Sequence, residues 1–364
     1  MNPIDDGVTV SSAIDDYLRK RLKPVEGVIP QLAGIEMFGN SIPAANADGD
    51  LFEYINFQQR YNIDARIGRA NKLATQYLEP LSDSLPARNV VDDHLQWLKS
   101  RPDYTLDEAA HYRIAKSSEQ LRIAENLNEL YTTAGVLLVD AQGHGSIAAK
   151  IASTIHDTFH TAMLCELEAN GKTTGDLFEI INLRLAQSVT ARNALGFDTE
   201  NNTREIATMI YGEIRPSGLF RFVNFGHPPP LVFSAEYGKF MDIGWDRMVQ
   251  FPSLGIEIPE DHPDRNRYVS LMLRSAQITA SDLDEITLMS PGDIIFLYTD
   301  GVYDGDDERN RQEIEQIIRE CKRKPARDIC NAILDYALRN DEHLGQIGEP
   351  DRIDDKTVFI IKRD

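Results

Sequence analysis

The sequence predicts a mixed α/β fold, on three observations. An apolar run, Gly135 to Val139, drives into Asp140-Ala141-Gln142-Gly143-His144-Gly145, after which Ile147, Ile151, Ile155 and Phe159 recur every fourth residue. A second apolar run, Ile294 to Tyr298, ends in Thr299-Asp300-Gly301 and leads to two segments of helical period. Between them, Glu205 to Ser234 changes to strand period around the turn Arg215-Pro216-Ser217-Gly218. A buried strand that delivers one carboxylate to a glycine turn before a helix is ordinary α/β architecture. It also suits a metal ion on the carboxylate and an anion at the helix N-terminus.

Composition bounds the rest. The chain has 364 residues, enough for one large domain or two modest ones, with 42% hydrophobic and 26% charged residues, as in a soluble globular protein. No apolar run approaches the length of a membrane span, and the start, Met1-Asn2-Pro3-Ile4-Asp5-Asp6, lacks the basic and apolar regions of a signal peptide. A cytoplasmic protein is expected. Cys165, Cys321 and Cys330 form neither a disulfide framework nor a zinc-site spacing. The formal charge of −20 argues against a nucleic-acid or anionic-membrane surface and is compatible with aspartates that cations neutralise.

In chain order, residues 10–23 read as an amphipathic helix with the stripe Val10, Ile14, Leu18 and Leu22 and capping-box spacing at Ser12 and Asp15. Leu51 to Phe57 reads as a strand, which sets Asp50 at its start beside Gly49. Residues 63–130 are mostly helical in pattern, interrupted near Pro80, Pro86 and Pro102, with the best helix from about Leu106 to Tyr131. After the Asp140 segment and its helix, Thr173 to Val189 reads as another, with Leu177, Ile180, Ile181 and Leu185 apolar. Strands follow at Glu205–Ile214, Gly218–Asn224 and Pro230–Ser234, with Phe225-Gly226-His227-Pro228-Pro229-Pro230 as a rigid connector between the last two. Tyr268 to Leu273 is a further expected strand within an irregular stretch. Helices are expected over 311–323 and 325–339, and Asp354-Asp355-Lys356-Thr357 opens a last strand, Val358 to Ile361.

Asp50, Asp140, Asp300 and Asp354 thus all stand at strand ends or starts. Like charges converging in a core repel unless cations compensate, and carboxylates are what hard Mg(II) and Mn(II) ions prefer.

With these residues assembled, the chain resembles the PPM superfamily of metal-dependent serine/threonine phosphatases, in the bacterial branch of the RsbU and SpoIIE phosphatases. Asp48-Gly49-Asp50 before Leu51-Phe52-Glu53-Tyr54 resembles a Gly-Gly-Asp motif before aromatics, and Asp140 to Gly145 resembles Asp-x-x-Gly-His-Gly. Asn182 matches a helix with a central asparagine, Asn224 to Pro230 resembles Asn-Ala-Gly-His-x-Pro-Pro, and Ser253-Leu254-Gly255 resembles Pro-Leu-Gly. Pro291 to Gly301 resembles Pro-Gly-Asp…Tyr-Thr-Asp-Gly, and Asp354 to Thr357 resembles Asp-Asp-x-Thr.

The resemblance spans about residues 33–364 and implies an α/β/β/α sandwich of two antiparallel sheets flanked by helices, with 1–32 outside it. Residues 63–130 then stand as an inserted helical subdomain where the family passes by a short hairpin. Carried over, Asp140 would bridge two Mn(II) or Mg(II) ions per subunit. The Ala141 backbone carbonyl would complete the first ion's protein ligands, with Asp50 helping directly or through water. Asp300 and Asp354 would hold the second, and a water activated between the ions would attack phosphorus. Two departures stand out: Asp48 occupies the first glycine position, and Phe225 replaces a small residue.

His144 is a candidate general acid, although a structural role at the helix start is the better reading. His156 and His160 have i, i+4 ligand spacing without a His-Glu-x-x-His pattern and read as polar residues flanking an apolar stripe. His227 reads as structural, and Asp355 as a turn residue rather than a metal neighbour. The function expected is hydrolysis of phosphoserine or phosphothreonine in a small phosphoprotein, which the resemblance suggests is a STAS-type anti-sigma-factor antagonist in a partner-switching pathway. Residues 10–23 or 63–130 offer surfaces for a homodimer or a regulatory partner. Two alternatives stand beside it: a PPM-fold scaffold that signals by binding, and a hydrolase of small phosphomonoesters.

Overall fold

The computed structural model of the chain describes residues 29–44, 49–79, 108–143, 145–194, 205–243, 250–256, 284–288, 290–303, 307–347 and 353–364. The expected helix at 10–23, the strand at Tyr268–Leu273 and the prolines at 80, 86 and 102 lie outside the described residues. Two compact units are distinguished: Met1–Asn56 with Thr132–Ala162 and Gly175–Asp364, and Phe57–Tyr131 with Met163–Thr174.

The larger unit is built on two sheets. One has the order β1 (Ile35–Ile42), β11 (Lys356–Arg363), β10 (Ile294–Tyr298), β6 (Leu231–Ser234) and β7 (Lys239–Met241). The other runs β2 (Asp50–Asn56), β3 (Ala134–Ala141), β4 (Ala207–Ile214), β5 (Leu219–Phe225) and β8 (Gln250–Phe251), with β9 (Asp284–Thr287) also on β5. Among the described residues, these strands pair antiparallel except in the short β5–β8 contact.

Strand alternation sorts the side chains into layers. Phe52 and Tyr54 of β2, Val136 and Leu138 of β3, Ile295 and Leu297 of β10, and Phe359 and Ile361 of β11 form one core between the sheets. The intervening Ile294, Phe296, Tyr298, Val358 and Ile360 face outward, against α6 (Glu308–Cys321) and α7 (Ala326–Ile347) through Ile314, Ile318, Ile329 and Ile333. On the outer face of the other sheet, Tyr211 meets Phe159 of α4 (Ser146–Ala169) and Phe178 of α5 (Asp176–Ala194), with ring centroids 5.3 and 5.8 Å apart. Helices therefore cover both outer faces, and the expected α/β/β/α sandwich is what the chain builds. Two details differ from the sequence pattern. Ile147 is 65% exposed although Ala148, Ala149 and Ile151 beside it are buried, and Ile180 likewise lies outside the core of α5.

The smaller unit contains α1 (Phe57–Tyr61), α2 (Ile63–Leu78) and α3 (Glu108–Glu129). Asn62 caps α2 from a left-handed conformation, which asparagine tolerates better than most residues. Phe57, Ile63, Ala70, Ala74, Ile123 and Leu127 are among its buried apolar side chains, and Arg66 and Arg69 both reach Glu168, at 2.6 and 2.7 Å. Gly171, at positive φ, brings the turn after α4 so close to α3 that a Cβ there would lie 2.4 Å from the Ile123 carbonyl oxygen. No helix among the described residues is long and apolar enough to cross a membrane.

Candidate functional site

Antiparallel register brings the first two aspartates together. Asp50, the first residue of β2, stands directly opposite Asp140, the penultimate residue of β3, and Asp140 faces Thr208 of β4 on its other side. Directly opposed residues share a sheet face with their Cβ atoms about 5 Å apart, a placement that disfavours two like charges. The strand pair stays in register to its end, where the Ala141 N–H donates to the Gly49 carbonyl at 3.2 Å. Gly49 has no room for a side chain: a Cβ would lie 2.9 Å from the Ala148 Cβ and 3.0 Å from the Ala141 carbonyl oxygen.

The second sheet meets Asp50 through two hydroxyls. Thr299, just beyond β10, and Thr357 in β11 both lie with Oγ1 2.7 Å from Asp50 Oδ2. All three residues are buried. The Thr357 N–H donates to Thr299 Oγ1 at 2.9 Å, and the Thr299 N–H donates to the Thr357 carbonyl at 3.1 Å. These bonds set the end of β10 beside the start of β11, and with them the turns carrying Asp300 and Asp354. Gly301 makes the approach close: a Cβ there would sit 2.1 Å from the Asp355 carbonyl oxygen.

Asp50, Asp140, Asp300 and Asp354 consequently stand at one end of the sandwich, with Asp50 buried, Asp140 half-buried and Asp300 and Asp354 exposed. The Ala141 backbone lies in the same end layer. An all-oxygen donor set of carboxylates and a carbonyl is the chemistry that Mg(II) and Mn(II) take. His144 lies outside the described residues, flanked by Gly143 and Gly145 at φ of 93° and 76°. Those left-handed conformations carry the chain from β3 into α4.

Asp355 holds the site's frame. Its carboxylate accepts the Ala44 and Gly49 N–H groups, each at 2.7 Å, and is 3% exposed. It is thus neither a simple turn residue nor an open donor: it ties both flanks of segment 45–48 to the start of β11. Asp354 Oδ1 accepts the Asp355 N–H at 2.8 Å, and Lys356 Nζ donates to the Asp354 carbonyl at 2.7 Å and meets Asp341 of α7 at 2.8 Å. Asn182 Oδ1 accepts the Gly255 N–H at 2.8 Å, so the helix asparagine singled out in the sequence braces the Leu254-Gly255 turn.

His227 is a frame residue as well. Its backbone is clasped by the Asn224 amide, 2.8 Å in each direction, and its Nδ1 lies 2.8 Å from Thr208 Oγ1. Burial pushes its pKa down to about 3, only partly opposed by the Tyr298 backbone, so the ring is neutral at physiological pH. Thr299, Thr357 and Asp355 are the residues that the sequence did not single out as partners of Asp50 or of the segment before it.

A family model described as Stage II sporulation protein E (SpoIIE) matches residues 132–271 and 277–364. No curated protein matches the chain in sequence. Among solved structures, the RsbU and RsbW domains of a Mycobacterium tuberculosis protein are similar at TM-score 0.48 and 16% identity, over 92% of this chain and 61% of that one. The phosphatase domain of SpoIIE from Bacillus subtilis, with a fragment of its regulatory domain, is similar at TM-score 0.41 and 14% identity, over 63% of this chain and 54% of that one. The SiaA phosphatase domain of Pseudomonas aeruginosa gives TM-score 0.46 and 12% identity, over 90% and 86%. The chain spans less than two thirds of the first two of these proteins.

Proposed function

The chain belongs to the SpoIIE family, in the RsbU and SpoIIE branch of the PPM phosphatases, and from that premise we propose that it is a metal-dependent protein serine/threonine phosphatase. The observation that carries the reading is the opposed pair Asp50 and Asp140, meeting the turns of Asp300 and Asp354 at one end of the sandwich. In this reading Asp140, Asp50 and the Ala141 carbonyl would hold one Mn(II) or Mg(II) ion, and Asp300 and Asp354 a second that shares Asp140. When bound, such ions supply Lewis acidity towards a phosphoryl group and make water a nucleophile near neutral pH.

The chain's own residues fix the donors in advance. Thr299 and Thr357 orient Asp50 by lying with their hydroxyls on its Oδ2. Asp355 anchors the backbone on both sides of segment 45–48, so the residue before Asp50 cannot drift from β11. Preorganised oxygen donors of this kind need little rearrangement when charge builds up on a transferring phosphoryl group. The substrate class follows from the resemblance to RsbU phosphatases: a phosphorylated STAS-type anti-sigma-factor antagonist.

Phosphate release from an aryl phosphate with added Mn(II) tests the reaction, and release from a serine-phosphorylated STAS protein tests the substrate. Wild type is expected to turn over both, and Asp140→Ala and Asp300→Ala neither. Wild type no faster than the variants with either cation would replace the enzyme by a PPM-fold scaffold. Turnover of the aryl phosphate with no phosphoprotein dephosphorylated would favour a small-molecule phosphomonoesterase.

A further inference from the structure

The outer face of β2 carries a second cluster of donors, separate from the aspartates. Asp50, Phe52 and Tyr54 point inward, so alternation turns Leu51, Glu53 and Ile55 out towards the helix layer. Leu51 and Ile55 are 2% and 0% exposed, and the residue opposite Glu53, Leu137, is fully buried. A carboxylate in such apolar company is costly unless it is paired. Its company is histidine: Glu53 Oε2 lies 3.1 Å from His156 Nε2 and 2.6 Å from His160 Nε2.

His156 and His160 are one turn apart on α4, with ring centroids 4.5 Å apart, and the three donor atoms all lie within 4.8 Å of one another. The histidine pair, which the sequence alone reads as polar flank residues, therefore converges on a buried carboxylate. We propose that Glu53, His156 and His160 form a divalent transition-metal site of the zinc class, distinct in place and chemistry from the aspartate centre.

Four arguments support it. Two imidazole nitrogens and one carboxylate are a donor set of three-ligand zinc centres, and imidazole favours zinc and its first-row neighbours over Mg(II). In a tetrahedral centre with bonds of about 2.0–2.1 Å, donor atoms stand about 3.3 Å apart, a spacing that small side-chain rotations reach from here. The other ring nitrogen of His156, Nδ1, is buried and makes no hydrogen bond, and the carboxylate it would donate to with a metal bound, Asp157 Oδ1, stands 3.6 Å away. Metal-bound histidines usually donate that second N–H to a carboxylate. Both rings are partly solvent-exposed, 17% and 13% at the side chain, which leaves a coordination position for water. A cation here would tie β2, which begins with Asp50, to the helix that follows the Asp140 turn.

The test uses the full-length chain, stripped with chelator and saturated with Mg(II), then titrated with Co(II) while its visible absorption is followed. Wild type and Asp140→Asn are expected to bind one Co(II) each with the bands of an N/O site, displaced by Zn(II) but not by Mg(II). Because Asp140→Asn disables the aspartate centre, failure of the phosphatase reading leaves this result untouched. His156→Gln and His160→Gln are expected to weaken the site by more than about tenfold, with an unchanged far-ultraviolet circular dichroism spectrum. Unmutated protein gives a second readout: Zn(II) should protect both histidines from carbethoxylation, as read by mass spectrometry. Absence of the Co(II) bands in Asp140→Asn, equal affinity in the histidine variants, or no protection by Zn(II) would overturn the assignment.

Discussion

Replacing Asp355 with asparagine separates the frame of the site from its donors. The native carboxylate accepts two backbone N–H groups at 2.7 Å, from Ala44 and Gly49, in a buried setting. Asparagine keeps one acceptor oxygen and turns an NH2 towards the other N–H. One buried donor is then unsatisfied, at about 1–3 kcal/mol, and the surviving bond falls from the charge-assisted to the neutral class, at about another 1 kcal/mol. The expected loss is about 2–4 kcal/mol, read as a first thermal transition lower by about 5–10 °C. Asp354→Asn is the control, since Asp354 is exposed and the structure gives its side chain one acceptor bond, to the Asp355 N–H. It should move the transition by less than about 1.5 kcal/mol while weakening Mn(II) binding more than Asp355→Asn does. Differential scanning fluorimetry and Mn(II) titration calorimetry on the three proteins measure both. If Asp355→Asn melts with wild type, or if Asp354→Asn is the less stable of the two, the assignment of frame and donor is wrong.

Thr299→Val should destabilise the chain by about 1.5–3 kcal/mol and weaken Mn(II) binding, because it removes a buried hydroxyl from Asp50 Oδ2. Thr299→Ser should restore most of both, as denaturant titration with and without Mn(II) would record. Gly301→Ala should lower Mn(II) affinity and aryl phosphate turnover together, since its Cβ would push the Asp300 turn off the Asp355 carbonyl. His227 is held neutral with a pKa of about 3, against 6.5 when unfolded. As pH falls below 6.5 the unfolded chain takes up the proton first, so stability present above that value is progressively lost down to about pH 3. His227→Gln should therefore flatten the loss between pH 7 and pH 5 by about 2 kcal/mol, as urea denaturation at the two values would measure.

The residues legible in the sequence were those whose chemistry is announced by their immediate neighbours. Asp140 and Asp300 each end an apolar run and precede a glycine, so strand, carboxylate and turn could be read from a few adjacent residues. The layer order came from the family resemblance, since apolar periodicity alone does not say which sheet a strand joins. What stayed hidden were contacts closed over long sequence distances. Asp50 meets hydroxyls 249 and 307 residues away, and Asp355 caps N–H groups 306 and 311 residues before it. Asp355 looked like a turn residue because its local sequence is a turn, while its partners sit at the other end of the chain. Ile147 shows the opposite failure: it continues the four-residue period of α4, yet it is exposed while Ala148 and Ala149 beside it are buried.

The parity of one strand explains how two cation chemistries can share an element without competing. Asp50 and Glu53 are three residues apart on β2, an odd separation, so they occupy opposite faces and are about 10 Å apart along the strand. The inward position gathers oxygen donors from the ends of both sheets, and its neighbours there are threonine hydroxyls. The outward position meets a helix, and what that helix presents at one-turn spacing is imidazole. Mg(II) or Mn(II) on the inner face and a zinc-class ion on the outer face would thus be selected by donor type rather than by affinity rank, which alone would let zinc take both. Shifting β2 by one residue against β3 would undo both sites at once, exchanging Asp50 for Gly49 or Leu51 opposite Asp140 and turning Glu53 into the inter-sheet core. That slip is penalised by the two carboxylates rather than by the apolar residues, which line both faces of β2 alike: Asp50 would lose its threonine hydroxyls and Glu53 its imidazoles.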